Sequence, residues 1–232
     1  MIHIVAGWLT VVVVFPKLTP LQKEERFRLW ALELLAKLAI KLVVVGSPPG
    51  KGPWLLACNH LSWLDIIVLR ATCCCQFISK SDVRQWPLIG TLASGTGTLF
   101  VERASRRDAM RVVHQMVERL RDGCALAIFP EGTTSQGIAV LPFHANLFQA
   151  AIFANVAVVP AALRFTELAN GERSLAPCYT GDATLLGSIW RTLSAPPLSA
   201  VLCFGKPQLA QGRDRRTWAS DLHLEVVALN RS

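Results

Sequence analysis

"ACNHLSWLDI" occupies residues 57–66. Asn59, His60 and Asp65 interrupt an otherwise apolar run, with His60 and Asp65 five positions apart. An unbroken helix advances about 100° per residue, so side chains five apart point roughly 140° away from each other and cannot meet. The pair has a chemical meaning only if His60 lies outside the helix that carries Asp65. Ser62 is a good N-cap, and Ser62 to Asp65 has the spacing of a capping box, followed by apolar Ile66, Ile67, Val68 and Leu69. His60 then falls in the turn that leaves the apolar stretch Trp54 to Cys58. From there its ring can fold back over the first helical turn towards Asp65. The plain alternative is that Asp65 only caps the helix and His60 is a part-buried polar residue; the pair alone leaves both open.

Composition narrows the class. The 232 residues suffice for one domain with a sizeable core. The chain is 52% hydrophobic and 17% charged, below the roughly 25% charged residues of soluble domains, so apolar surface is expected to serve a purpose. Its net charge of +8 favours an anionic partner, whether membrane surface or phosphorylated substrate. No RNA-binding, zinc-finger or helix-turn-helix spacing appears, so nucleic acid is not an expected partner. The seven cysteines, Cys58, Cys73, Cys74, Cys75, Cys124, Cys178 and Cys203, are odd in number and lack zinc-knuckle gaps. They read as free thiols in a reducing compartment, with no metal and no cofactor expected.

The first apolar run, Ile2 to Phe15, holds 14 residues and ends at Pro16. As a helix it would reach about 21 Å, short of the roughly 30 Å hydrocarbon core of a bilayer. No charged segment precedes it, so it does not read as a cleaved signal peptide. A second helical stretch follows, Leu21 to about Ala39, with Glu33, Lys37 and Lys41 as a narrow polar stripe. Such girth is buried either on the chain's own core or at a membrane, with Lys17, Lys23, Arg26 and Arg28 near the headgroups. The expected organisation is an N-terminal membrane-associating helix pair over residues 1–40 and an α/β domain over 41–232.

From Lys41 onward short β-branched runs alternate with helical ones. Strands are expected near 42–45, 54–58, 74–79, 98–101, 125–129, 156–163 and 200–204, and helices near 62–71, 86–93, 105–121, 145–154 and 214–229. Such alternation predicts an α/β fold with a mixed, partly parallel sheet flanked by helices. Loops at strand ends are where chemistry collects.

Three more polar islands fall at those ends. "GTLFVER", residues 97–103, is a strand ending in Glu102 and Arg103, and an arginine there can hold a phosphate through two charge-assisted bonds. It is equally an ordinary surface arginine when taken alone. "IFPEGTTS", residues 128–135, combines a strand stop at Pro130, a tight turn at Gly132 and several hydrogen-bonding groups whose backbone could cradle an anion. A plain polar turn has the same composition. Val159-Pro160 interrupts a further apolar strand.

In this order the four blocks resemble the membrane-associated glycerolipid acyltransferases, the family of the bacterial 1-acyl-glycerol-3-phosphate acyltransferase. The resemblance runs from about Gly46 to Phe165, and the preceding apolar pair is similar to that family's membrane motif. It implies His60 as general base and Asp65 as the acid that orients it. Lys80, Arg103, Glu131, Gly132 and Thr133 are implied in substrate binding. One departure stands out: Thr134 occupies a position that is usually basic.

The implied chemistry is direct transfer of an acyl group from acyl-CoA or acyl-carrier protein, a co-substrate rather than a bound cofactor, to the hydroxyl of a lysolipid. A neutral imidazole takes the proton of the attacking hydroxyl, and a carboxylate fixes the tautomer. The expected acceptor is 1-acyl-glycerol-3-phosphate, giving phosphatidic acid. Alternatives are another lysolipid, such as a lyso-ornithine lipid or a lysophospholipid, or a catalytically silent membrane-binding protein. The expected place is the cytoplasmic face of the inner membrane, held peripherally or monotopically.

Overall fold

The computed structural model describes residues 2–101, 106–181 and 184–231. Among them seven strands form one sheet: β1 (Ile40–Val45), β2 (Trp54–Cys58), β3 (Gln76–Lys80), β4 (Leu99–Val101), β5 (Leu126–Ile128), β6 (Ala157–Glu167) and β7 (Leu198–Phe204). Their order is β1-β7-β6-β2-β5-β3-β4. The run from β6 through β2, β5 and β3 to β4 is parallel. β7 pairs antiparallel with β6, and β1 pairs parallel with β7. The expected mixed sheet is therefore mostly parallel, and every seam from β6 to β4 ends at one common edge.

All five residues of β2 are buried, as its unbroken apolar sequence requires of a central strand covered on both faces. Trp54, Leu56 and Cys58 point into one core and Leu55 and Ala57 into the other, the period-2 alternation of a pleated strand. β5 divides likewise, with Ala125 and Ala127 on one side and Leu126 and Ile128 on the other. The first core lies under α2 (Pro20–Lys37) and α3 (Leu64–Thr72). The second lies under α5 (Arg106–Arg121), α6 (Gln149–Ala154) and α8 (Arg215–Arg231).

The N-terminal segment differs from its expected form. Ile2 to Phe15 is α1 (Ile2–Leu9), a wider π-helical stretch Thr10–Val14, and a short 3-10 turn from Phe15. Gly7 meets the Trp30 ring, where a Cβ would come within 2.5 Å of the indole nitrogen. His3 stacks on the same ring, and the two residues exchange side-chain-to-backbone hydrogen bonds of 3.1 Å. α2 opens on a capping box between Thr19 and Gln22, with Pro20 in its first turn. It ends at Lys37, so Lys41 lies on β1 and not on the expected polar stripe.

The second helix of the expected N-terminal pair also packs on the sheet. α2 places Ala31, Leu34 and Leu35 in the same core as β2 and α3, so it is an integral layer of the α/β domain. On α1 and its extension Val5, Leu9, Val12 and Val13 face outward. No described helix is long and apolar enough to cross a membrane.

Candidate active site

The catalytic candidates sit where the chain leaves β2. After Cys58 the buried Asn59 turns its amide onto β6, accepting from the Leu163 N–H at 2.7 Å and donating to the Leu163 carbonyl at 2.9 Å. That bond pair replaces the sheet ladder where β2 ends, leaving His60 in a turn outside α3. The His60 Nδ1 reaches Asp65 Oδ2 at 2.7 Å. The five-residue spacing is thus bridged as the bent entry predicts.

Asp65 is fully buried, and its Oδ2 accepts three N–H groups: His60 Nδ1, Leu61 N at 2.6 Å and Ser62 N at 2.9 Å. The Ser62 bond is the carboxylate half of the expected capping box. The other half is shifted: α3 starts at Leu64, and Ser62 Oγ takes only a long 3.4 Å bond from the Leu64 N–H. Capping and orienting are one arrangement, because a single oxygen does both. A carboxylate only accepts, so the neutral imidazole carries its proton on Nδ1 and its lone pair on Nε2. The ring is 21% exposed.

The "IFPEGTTS" loop leaves β5 at the same edge and closes on the His60 backbone. Phe129 stacks under the imidazole, with centroids 4.0 Å apart and planes 9° from parallel. Glu131 Oε1 accepts the His60 N–H at 2.7 Å and Oε2 accepts the Leu141 N–H at 2.8 Å. The Ser135 N–H donates to the His60 carbonyl at 2.8 Å. Burial pushes the Glu131 carboxyl up from its ordinary value, and the N–H groups of Leu141 and His60 pull it partly back. Both oxygens of Glu131 therefore hold the chain itself.

A positioning role has a distinct signature. Glu131→Gln offers one acceptor where two are needed, leaving a backbone N–H facing an amide donor. We expect it to lower stability by about 1–3 kcal/mol and to lower kcat while leaving KM for the acceptor nearly unchanged. Steady-state kinetics and a thermal melt check this; a rise in KM alone would return Glu131 to substrate binding.

The other expected residues are placed as follows. Gly132 has φ of +72°, a conformation that favours glycine, and a Cβ there would lie 2.8 Å from the His144 ring. Thr133 is exposed at the turn. Lys80 ends β3, exposed and ion-paired with Asp82. Arg103 lies outside the described residues, two positions beyond the end of β4, which pairs Val101 with Lys80 at the common edge. Thr134 donates its hydroxyl to the Tyr179 carbonyl, and the Tyr179 N–H donates to the Leu61 carbonyl at 2.8 Å. Asn59, Phe129 and Tyr179 carried no assigned role in the sequence. Asn59 had a signal, a polar residue in a buried strand; the other two contacts depend on segments far apart in the chain.

The nearby thiols of Cys58 and Cys178 are buried. Burial pushes Cys58 well above the ordinary thiol range, and Asp65 and Glu131 add to the shift. Burial, then Asp65, pushes Cys178 up to about 11. Both are thiols at neutral pH. Among the described residues no set of three His, Cys, Asp or Glu side chains is arranged to hold a metal.

A buried carboxylate orients an imidazole here, and among the described residues no serine or cysteine side chain is hydrogen-bonded to that ring. The chain belongs to the acyltransferase family, whose model, described as Acyltransferase, matches residues 32–164. It is 39% identical over 172 residues to a 1-acyl-sn-glycerol-3-phosphate acyltransferase of Neisseria gonorrhoeae, covering 73% of this chain and 66% of that one. It is 38% identical over 197 residues to a lyso-ornithine lipid O-acyltransferase of Pseudomonas aeruginosa, covering 85% and 74%. The crystal structure of the LPA acyltransferase from Thermotoga maritima shares the fold, with a TM-score of 0.68 at 20% identity over 90% of this chain and 80% of that one.

Proposed function

We propose that the chain moves a fatty acyl group from a thioester, acyl-CoA or acyl-carrier protein, to the free hydroxyl of 1-acyl-glycerol-3-phosphate, giving phosphatidic acid. The observation that carries this reading is the 2.7 Å His60–Asp65 bond, which leaves Nε2 as the acceptor of a proton. The acceptor hydroxyl gives its proton to Nε2 as its oxygen attacks the thioester carbonyl carbon. The carbon–sulfur bond then breaks, and the imidazolium, stabilised by Asp65, returns the proton to the leaving thiolate. The fixed ring reduces the freedom to be lost on reaching this geometry.

Lys80 and Arg103 are proposed to hold the acceptor phosphate, and the exposed face of α1 to dip into the cytoplasmic leaflet. A second acceptor reading, a lyso-ornithine lipid, has its own support. Thr134 ties down Tyr179 and brings no cation, and the Pseudomonas aeruginosa relative acts on a lyso-ornithine lipid by its name. A side-by-side assay of both acceptors with one labelled acyl donor decides between them. We expect faster turnover of lysophosphatidic acid, and a roughly tenfold or greater rise in its KM on Lys80→Ala or Arg103→Ala, since a charge-assisted bond contributes about 1.5–3 kcal/mol. Faster turnover of the lyso-ornithine lipid, with both variants unaffected, would reverse the assignment.

A further inference from the structure

The helix α7 (Leu185–Ser194) half-buries Leu185 and Ile189 yet leaves three further apolar side chains outside. Its inward face carries Ser188 and Thr192, both almost completely buried, while Leu186, Trp190 and Leu193 are 76, 72 and 53% exposed. These three recur at helical spacing and form one apolar stripe. An apolar stripe facing outward costs free energy in water unless something covers it.

The helix is also fastened to the catalytic turn. Trp63, next to Asp65 in sequence space by two residues, donates its indole N–H to Ser188 Oγ at 3.2 Å. Arg191 donates to the Cys178 carbonyl at 2.7 Å, one residue before the Tyr179 that bonds Leu61. Residues 184–198 contain Arg191 and no acidic side chain. A tryptophan flanked by leucines, with a cation beside it, matches the boundary between anionic headgroups and acyl chains.

We propose that α7 is a second membrane-contact element, seated by Leu186, Trp190 and Leu193 on an anionic lipid surface so that the part-exposed His60 ring lies close to the bilayer. This goes beyond the acyl-transfer reading and rests on it only for the acceptor being a membrane lipid. The contact would let an acceptor reach Nε2 without leaving the leaflet.

The test uses the full chain and vesicles of phosphatidylglycerol and phosphatidylethanolamine. Combined Leu186→Ser, Trp190→Ser and Leu193→Ser should lower the vesicle partition coefficient roughly tenfold or more. Transfer to a long-chain lysolipid embedded in the vesicles should fall with it, while transfer to a short-chain, water-soluble lysolipid stays as in the parent chain. Trp190→Phe should keep most of the binding but lose one component of fluorescence quenching by brominated lipids, a reading that needs no disruptive substitution. Unchanged partition of the triple variant and unchanged quenching in Trp190→Phe would overturn the proposal. So would a dimer of the parent chain that the triple variant abolishes while vesicle binding persists through Leu9 and Val12. Partition is read without turnover, so a chain that binds vesicles through α7 but acylates no lysolipid would contradict the proposed reaction alone.

Discussion

His60→Ala should lower the rate of acyl transfer about 10²- to 10⁴-fold, the usual loss when a positioned general base is removed. The substitution deletes the ring that carries Nε2 but leaves the backbone clamp, because Glu131 and Ser135 bond the His60 N–H and carbonyl and not its side chain. The stability cost combines about 0.5–1.5 kcal/mol for the lost stack on Phe129 with about 1.5–3 kcal/mol for the lost bond to the buried Asp65 carboxylate. The side chain is already part-exposed, so no large cavity forms. A cooperative thermal melt, with turnover measured well below it, separates chemistry from folding.

Asp65→Asn should likewise affect both turnover and stability. Three N–H donors converge on Oδ2, and an asparagine amide turns at least one of its two ends into a donor. If its oxygen keeps the Leu61 and Ser62 N–H groups, little acceptor capacity is left for Nδ1–H. If its nitrogen faces the ring, Nδ1 must accept and the proton moves to Nε2, where the reaction needs a lone pair. Loss of the correct tautomer costs about 10⁴-fold in a comparable catalytic triad; here a fall of roughly 10²- to 10³-fold is expected, smaller than that of His60→Ala because the ring survives. A buried donor left without a partner adds about 1–3 kcal/mol of instability. Turnover measured well below the variant's melting temperature distinguishes this from simple unfolding; near-parent turnover there would reduce Asp65 to a cap.

Much of the fold was legible because the strands are buried on both faces and so read as plain apolar runs: β2 occupies the very residues expected, Trp54–Cys58. His60 and Asp65 were legible for the converse reason, since ionisable groups in such a run need a partner. α7 was not, because beside half-buried Leu185 and Ile189 it turns Leu186, Trp190 and Leu193 outward and Ser188 and Thr192 inward, blurring the pattern that marks a helix packed on a core. Nor was the role of Glu131, whose partner His60 lies 71 positions away. At position 134 the sequence revealed a missing cation, but only the fold brings its hydroxyl to Tyr179, 45 positions on. β6 extends beyond its expected end at Leu163 to Glu167, because antiparallel pairing with β7 satisfies Arg164 to Glu167 at the rim of the sheet.

In the proposed reaction His60 directs an acyl group straight from thioester to lipid hydroxyl. The most direct measurement follows a labelled acyl thioester through a rapid quench with and without lysophosphatidic acid, for the parent chain and His60→Ala side by side. The predicted result is label in the two-chain lipid and an equal amount of released thiol, only with the parent chain and acceptor together, and no label on the denatured protein at any time. Label bound to protein when the acceptor is left out, or equal lipid labelling by His60→Ala, would contradict it.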